Sequence, residues 1–124
     1  MDKQLFHTEN FEADGEIRAV LVGVLEGHMS QDDLESAFLE LERLCDTAGL
    51  SVVATLSQAL ERTVSATCIG SGKLKELSEL CDAQEVSVVV FDTDLTPSQI
   101  KNIEDAISRD VRVIDRTMLI NAIA

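Results

Sequence analysis

Basic residues are scarce in this chain: 10 lysines and arginines stand against 23 aspartates and glutamates, for a net charge of −13 over 124 residues. A domain this acidic does not hold nucleic acid through a broad basic surface, because neutralising phosphates supplies most non-specific affinity. Contact with RNA is left to a local patch, and DNA is not expected as a partner. The three cysteines, Cys45, Cys68 and Cys81, are far apart and lack C-x-x-C spacing. That removes a disulfide framework and a zinc site, leaving buried free thiols. His7 and His28 have no metal-ligating partner one helical turn on, so both are read as surface residues and no metal site is expected. No apolar run reaches the roughly 18 residues of a membrane span. The first ten residues also lack a basic-then-apolar leader. The expectation is a cytoplasmic protein with no transmembrane segment.

What is present has the make-up of one globular domain, with 45% hydrophobic and 27% charged residues. Residues 1–15 set Phe6 and Phe11 among acids without a period and read as a flexible N-terminal tail, with the folded domain over 16–124. Ile17 to Val24 is a nearly continuous apolar run, the pattern of a strand covered on both faces. Gly27 opens a loop, and Ser30 with Asp33 suits the start of a helix carrying Leu34, Ala37, Phe38, Leu41, Leu44 and Cys45 at three- and four-residue spacing. Gly49 is placed to end it. Ser51 to Leu56 is a second strand that runs on to Leu60. Thr67 to Ile69 offers a short extra edge strand, and a helix follows with Leu74, Leu77, Leu80 and Cys81 as its buried stripe.

Val86 to Phe91, with three valines in a row, belongs at the centre of a sheet. Thr96, the single proline Pro97, and Gln99 then form a capping box with proline at the first helical position, where its missing N–H costs nothing. That helix should bury Ile100, Ile103, Ala106 and Ile107. Val111 to Asp115 makes the fourth strand, and Arg116 opens a last helix. Strands alternating with helices imply right-handed parallel crossovers. The fold class is therefore α/β: a small doubly wound, mainly parallel four-stranded sheet of order 2-1-3-4 with helices on both faces.

The chemistry-bearing stretch is Thr67 to Leu77, a glycine-rich turn running into the second helix. Gly70 and Gly72 can take positive φ and let an anion approach, while Ser71 and Lys73 sit at the helix N-terminus. This is a candidate phosphate or RNA cradle. Its alternative is a tight turn whose glycines only satisfy geometry. It is not a Walker A loop: Thr67 stands where the first glycine belongs and Leu74 where Ser or Thr belongs, so GTP hydrolysis is not expected here. A second candidate region is the crevice at the strand C-termini, where the order reverses between strands one and three. It carries Asp92, Asp94, Ser98, Gln99, Asp115 and Arg116. The aspartates could hold magnesium or act as a base, or only cap helices. Arg116 could neutralise Asp115 or grip a phosphate. Ser71 and Ser98 have no histidine partner, so no catalytic residue is assigned.

Three ordered blocks carry a resemblance. They are Arg18-Ala19-Val20-Leu21-Val22-Gly23-Val24; Ile69-Gly70-Ser71-Gly72-Lys73 with Glu76-Leu77; and Phe91-Asp92, Leu95-Thr96-Pro97-Ser98-Gln99 and Val113-Ile114-Asp115-Arg116-Thr117. Over about residues 17–124 the chain resembles the N-terminal domain of the HflX family of ribosome-associated GTPases. The resemblance implies a full-length protein in which a helical linker and a G domain follow, the G domain binding GTP with Mg2+ and hydrolysing it. It implies the large ribosomal subunit and its rRNA as partner, in the handling of stalled ribosomes. ATP binding by this domain, or regulation of its own G domain, are the alternative roles implied.

Overall fold

A computed structural model describes residues 15–124, so the expected tail, with Phe6, His7 and Phe11, lies outside the described residues apart from Gly15. Four strands, β1 (Arg18–Glu26), β2 (Ser51–Leu60), β3 (Val88–Phe91) and β4 (Arg112–Asp115), alternate with helices α1 (Gln31–Ala48), α2 (Ser71–Ala83), α3 (Pro97–Ala106) and α4 (Arg116–Ile123). All three strand pairings are parallel and the order is β2-β1-β3-β4, as expected.

The apolar run of β1 divides by alternation. Val20, Val22 and Val24 join Ile69, Leu74, Leu77, Ile103 and Phe91 on the face covered by α2 and α3. Ala19 and Leu21 join Leu41, Cys45, Ala48, Val90 and Leu119 on the face covered by α1 and α4. Each valine, leucine, isoleucine or phenylalanine among them gains about 1.5–3 kcal/mol on burial, against about 1–2 kcal/mol for ordering its backbone. A strand apolar on both faces is therefore driven to the middle. Gly23 continues β1 with no side chain, and a Cβ there would stand 2.5 Å from Leu34 Cδ1 and 2.9 Å from the Phe38 ring. Its bare backbone lets α1 lie close on the sheet.

The helix ends follow their local signals. Ser30 Oγ accepts from the Asp33 N–H and the Asp33 carboxylate accepts from the Ser30 N–H, both at 3.1 Å. Gly49 ends α1 in the left-handed region at φ 85°. Thr96 and Gln99 form the expected box, with Pro97 opening α3. Departures are local. The short strand at Thr67 to Ile69 reduces to one antiparallel bridge, Val64 to Cys68. Of the stripe expected on α3, Ile103 and Ile107 are buried, Ile100 is half-buried and Ala106 is exposed. All three cysteines are free and buried, as expected. Among the described residues no helix is long and apolar enough to cross a membrane.

Candidate functional site

Parallel strands deliver every β-to-α loop to one edge, so the glycine turn and the crevice aspartates share the C-terminal edge of the sheet. The loop from Glu61 to Gly70 is pinned there by three side-chain amides. Gln58 Oε1 accepts from the Gly70 N–H at 2.9 Å. Gln99 Nε2 donates to the Ser65 carbonyl at 3.2 Å, and Asn102 Nδ2 donates to the Ala66 carbonyl at 3.0 Å. Val64 and Cys68 exchange backbone hydrogen bonds of 3.0 and 2.7 Å, closing a turn whose last residue, Cys68, sits at φ 67°.

The left-handed residue of this loop is thus a cysteine and neither candidate glycine. Gly70 is extended at φ −68° and ψ 160°, and Gly72 is helical and has no positive φ. A Cβ on Gly70 would approach Gln58 at 3.2 Å, whereas one on Gly72 would meet nothing within 4 Å. Turn geometry therefore accounts for neither glycine, and packing touches only Gly70. Gly70 caps α2 with no side-chain hydrogen bond, unlike Ser30, Thr96 and Asp115 at the other three helices. The first-turn amides of α2 are left to solvent or to an incoming acceptor. Lys73 is half-buried and pairs with Glu76 at 3.1 Å, so its charge is present at the turn but shared.

The crevice residues mostly hold structure. Asp115 is buried and caps α4, accepting from Met118 N–H and, across the crevice, from Leu95 N–H, each at 2.9 Å. Arg116 turns away from it, to Glu40 on α1 and to Asp92 at 3.7 Å. The expected pair of Arg116 with Asp115 does not form, because the Asp115 oxygens are taken by backbone amides and the guanidinium reaches acids of other elements. Asp94 accepts from Thr117 Oγ1 at 3.1 Å. Burial, with Asp94 adding to it, pushes the Asp92 carboxyl above the ordinary aspartate range. Gln99 is buried in its capping box and Ser98 is exposed on α3. Among the described residues no three acids, cysteines or histidines converge to hold a metal, the three aspartates included. A cavity of about 580 Å³ opens beside them, lined by Leu95, Pro97, Ile100 and Met118 with Asp94 and Asp115.

Gln58 and Glu40 act across the fold and carry no local signal in the sequence. Nothing local in the sequence marks the left-handed backbone of Cys68. Burial pushes its thiol up to about 11, with Glu26 adding to the shift, which makes it a packing group.

Fold and edge together define a doubly wound α/β module whose loops present backbone amides and one shared lysine. A family model described as GTP-binding GTPase N-terminal matches residues 35–123, and the chain belongs to that family, the N-terminal domain of the HflX proteins. Among curated relatives, the GTPase HflX of Flavobacterium psychrophilum is 40% identical over 113 residues, covering 91% of this chain and 26% of that protein. GTPase HflX of Caldanaerobacter subterraneus is 39% identical, and that of Escherichia coli K12 34%, each over 83% of this chain and 23% of the relative. The chain thus spans about a quarter of the length of these relatives. Among solved structures, the C-terminal catalytic domain of ISC1926 TnpA, an IS607-like serine recombinase, is similar with a TM-score of 0.57 and 25% identity, over 78% of this chain and 65% of that one.

Proposed function

We propose that this domain docks an HflX-type GTPase on the large ribosomal subunit, the full-length protein binding GTP with Mg2+ and hydrolysing it in a separate G domain joined by a helical linker. Such a protein works in the cytoplasm on stalled or stressed ribosomes. The observation that carries the docking role is the first turn of α2: it has no side-chain cap, and Gly72 leaves its surface open without serving turn or packing. An rRNA phosphate set against the amides of Ser71, Gly72 and Lys73 would accept their hydrogen bonds, with the Lys73 ammonium adding charge. The net charge of −13 argues for a local contact of this kind and against a broad basic surface. ATP in the strand C-terminal crevice is a weaker reading, since Asp92 and Asp94 would repel its phosphates.

The test is co-sedimentation of the full-length protein with large subunits. Lys73→Ala should weaken binding about tenfold, since one charge-assisted contact is worth about 1.5 kcal/mol. Gly72→Val, at a position with nothing within 4 Å, should do so without unfolding the domain. Unchanged binding for both variants removes the loop from the interface. Calorimetry with ATP and magnesium tests the crevice reading.

A further inference from the structure

The two edges of the sheet are finished differently. β4 is four residues long, and its outward Val113 N–H is taken by the Glu104 carboxylate at 2.8 Å. A charged side chain over an edge amide blocks the addition of another strand. β2, at the other edge, runs ten residues with no charge and no proline. The Gly27 N–H donates to the Leu60 carbonyl at 3.0 Å, so the Leu60 backbone faces β1. By strand alternation Leu56 and Gln58 face the same way, while Thr55, Ser57 and Ala59 turn their N–H and C=O groups outward. Their side chains are small and exposed. The register shift opposite Ala19 and Val20 marks the lower limit, leaving Ala54 to Leu60 as a regular edge with no second partner strand among the described residues.

The surroundings of that edge are acidic. Glu40 pairs with Arg116 of α4, which identifies the flank of α1 that faces β3 and β4. Glu42 lies about 200° further round the helix, and Glu35 and Asp46 fall within about 40° of it. These three exposed acids occupy the opposite flank, the one over β2. Glu26 and Glu61 border the strand's C-terminal end, where the exposed Arg62 is the one base that follows the strand directly, so the acidic stretch is the flank of α1. On the other face of the sheet Lys73 is matched by Glu76.

We propose that the free edge of β2 binds an extended, lysine- or arginine-bearing peptide of a partner protein, which joins the sheet as a fifth strand. Backbone pairing to Thr55, Ser57 and Ala59 gives the affinity, and alternate basic side chains reaching the acids of α1 give the selectivity. This surface is separate from the α2 turn and does not depend on phosphate docking there.

The experiment uses the isotope-labelled 124-residue chain and a blocked eight-residue peptide alternating lysine and valine, with a glutamate and valine counterpart as control. The lysine peptide should slow amide hydrogen exchange at Thr55, Ser57 and Ala59 about tenfold or more while leaving Leu56 and Gln58 unchanged, and the glutamate peptide should not. Ser57→Pro deletes an outward donor and spares the ladder to β1, so it should abolish the protection. The double variant Glu35→Lys and Glu42→Lys leaves the strand intact and should weaken the lysine peptide about tenfold. No protection, equal protection by both peptides, or protection that arises without peptide as the protein is concentrated, which makes a second copy the occupant, overturns the proposal.

Discussion

Replacing Gly23 with alanine should destabilise the domain, although the same change in an ordinary strand is neutral or favourable. Adding a methyl to glycine lowers the entropy of the unfolded chain and typically contributes about 0.5–1 kcal/mol of stability. At this position the new Cβ would stand 2.5 Å from Leu34 Cδ1 and 2.9 and 3.0 Å from two carbons of the Phe38 ring. Leu34 is 1% exposed, so its end cannot swing into water. Helix α1 must shift or both side chains must leave their rotamers, an overpacking cost of about 1–3 kcal/mol. The net expectation is a loss of about 1–2 kcal/mol, a fall of several degrees in Tm for a chain of this size. Urea unfolding followed by circular dichroism measures it, with an unchanged denaturant slope showing that two-state behaviour survives. Leu34→Ala removes the clashing carbon, so in the Gly23→Ala background it should cost at least about 1 kcal/mol less than in the wild type. A neutral or stabilising Gly23→Ala, or two strictly additive changes, would refute the packing argument.

Glu85 follows α2 at φ 53° and is exposed, so Glu85→Gly should raise stability by about 0.5–1 kcal/mol by relieving left-handed strain, measured in the same unfolding experiment. Gln99→Glu keeps an acceptor for the Thr96 N–H but removes the amide donor to the Ser65 and Val64 carbonyls. It should cost about 1–3 kcal/mol and make the amide of Cys68, bonded to Val64, exchange faster; unaltered exchange would show that the loop is held elsewhere. Asp92 has a folded-state pKa raised above 3.8, so its contribution to stability is full below that pH and is lost as pH rises through the folded value. Asp92→Asn should therefore be more stable than the wild type at neutral pH, with the gap closing on acidification; a gap independent of pH contradicts the assigned shift.

Elements were legible where one local signal and the global fold agree. Ser30 with Asp33, Gly49, and Thr96-Pro97 with Gln99 mark helix ends by chemistry confined to four residues, and the structure uses each of them. The order of the strands followed from crossover handedness, which depends on chirality and not on any one residue. The illegible features all depend on groups distant in sequence. Asp115 and Arg116 are adjacent and opposite in charge, yet the Asp115 oxygens are occupied by the amides of Leu95 and Met118, and Arg116 finds Glu40 and Asp92 instead. Cys68 takes a left-handed conformation that costs about 1–2 kcal/mol for a side chain with a Cβ. The bridge to Val64, the amides of Gln58, Gln99 and Asn102 along the loop, and burial of the thiol together over-determine it.

That exchange of roles bears on the glycine pair. With the positive φ assigned to Cys68, the reading of Gly70-Ser71-Gly72 as a turn shaped by its glycines loses its physical basis. Gly70 retains a packing reason in the approach of Gln58, but Gly72 has none inside the described residues. Glycine in a helical turn is less favourable than alanine by up to about 1 kcal/mol, and at Gly72 no internal contact offsets it. Under the docking proposed above, Gly72 would keep the first turn of α2 free of a Cβ so that the partner surface can come within backbone distance. Gly72→Ala separates the cases: it should stabilise the isolated domain slightly and still weaken subunit binding, whereas a change that stabilises and leaves binding intact puts the contact elsewhere.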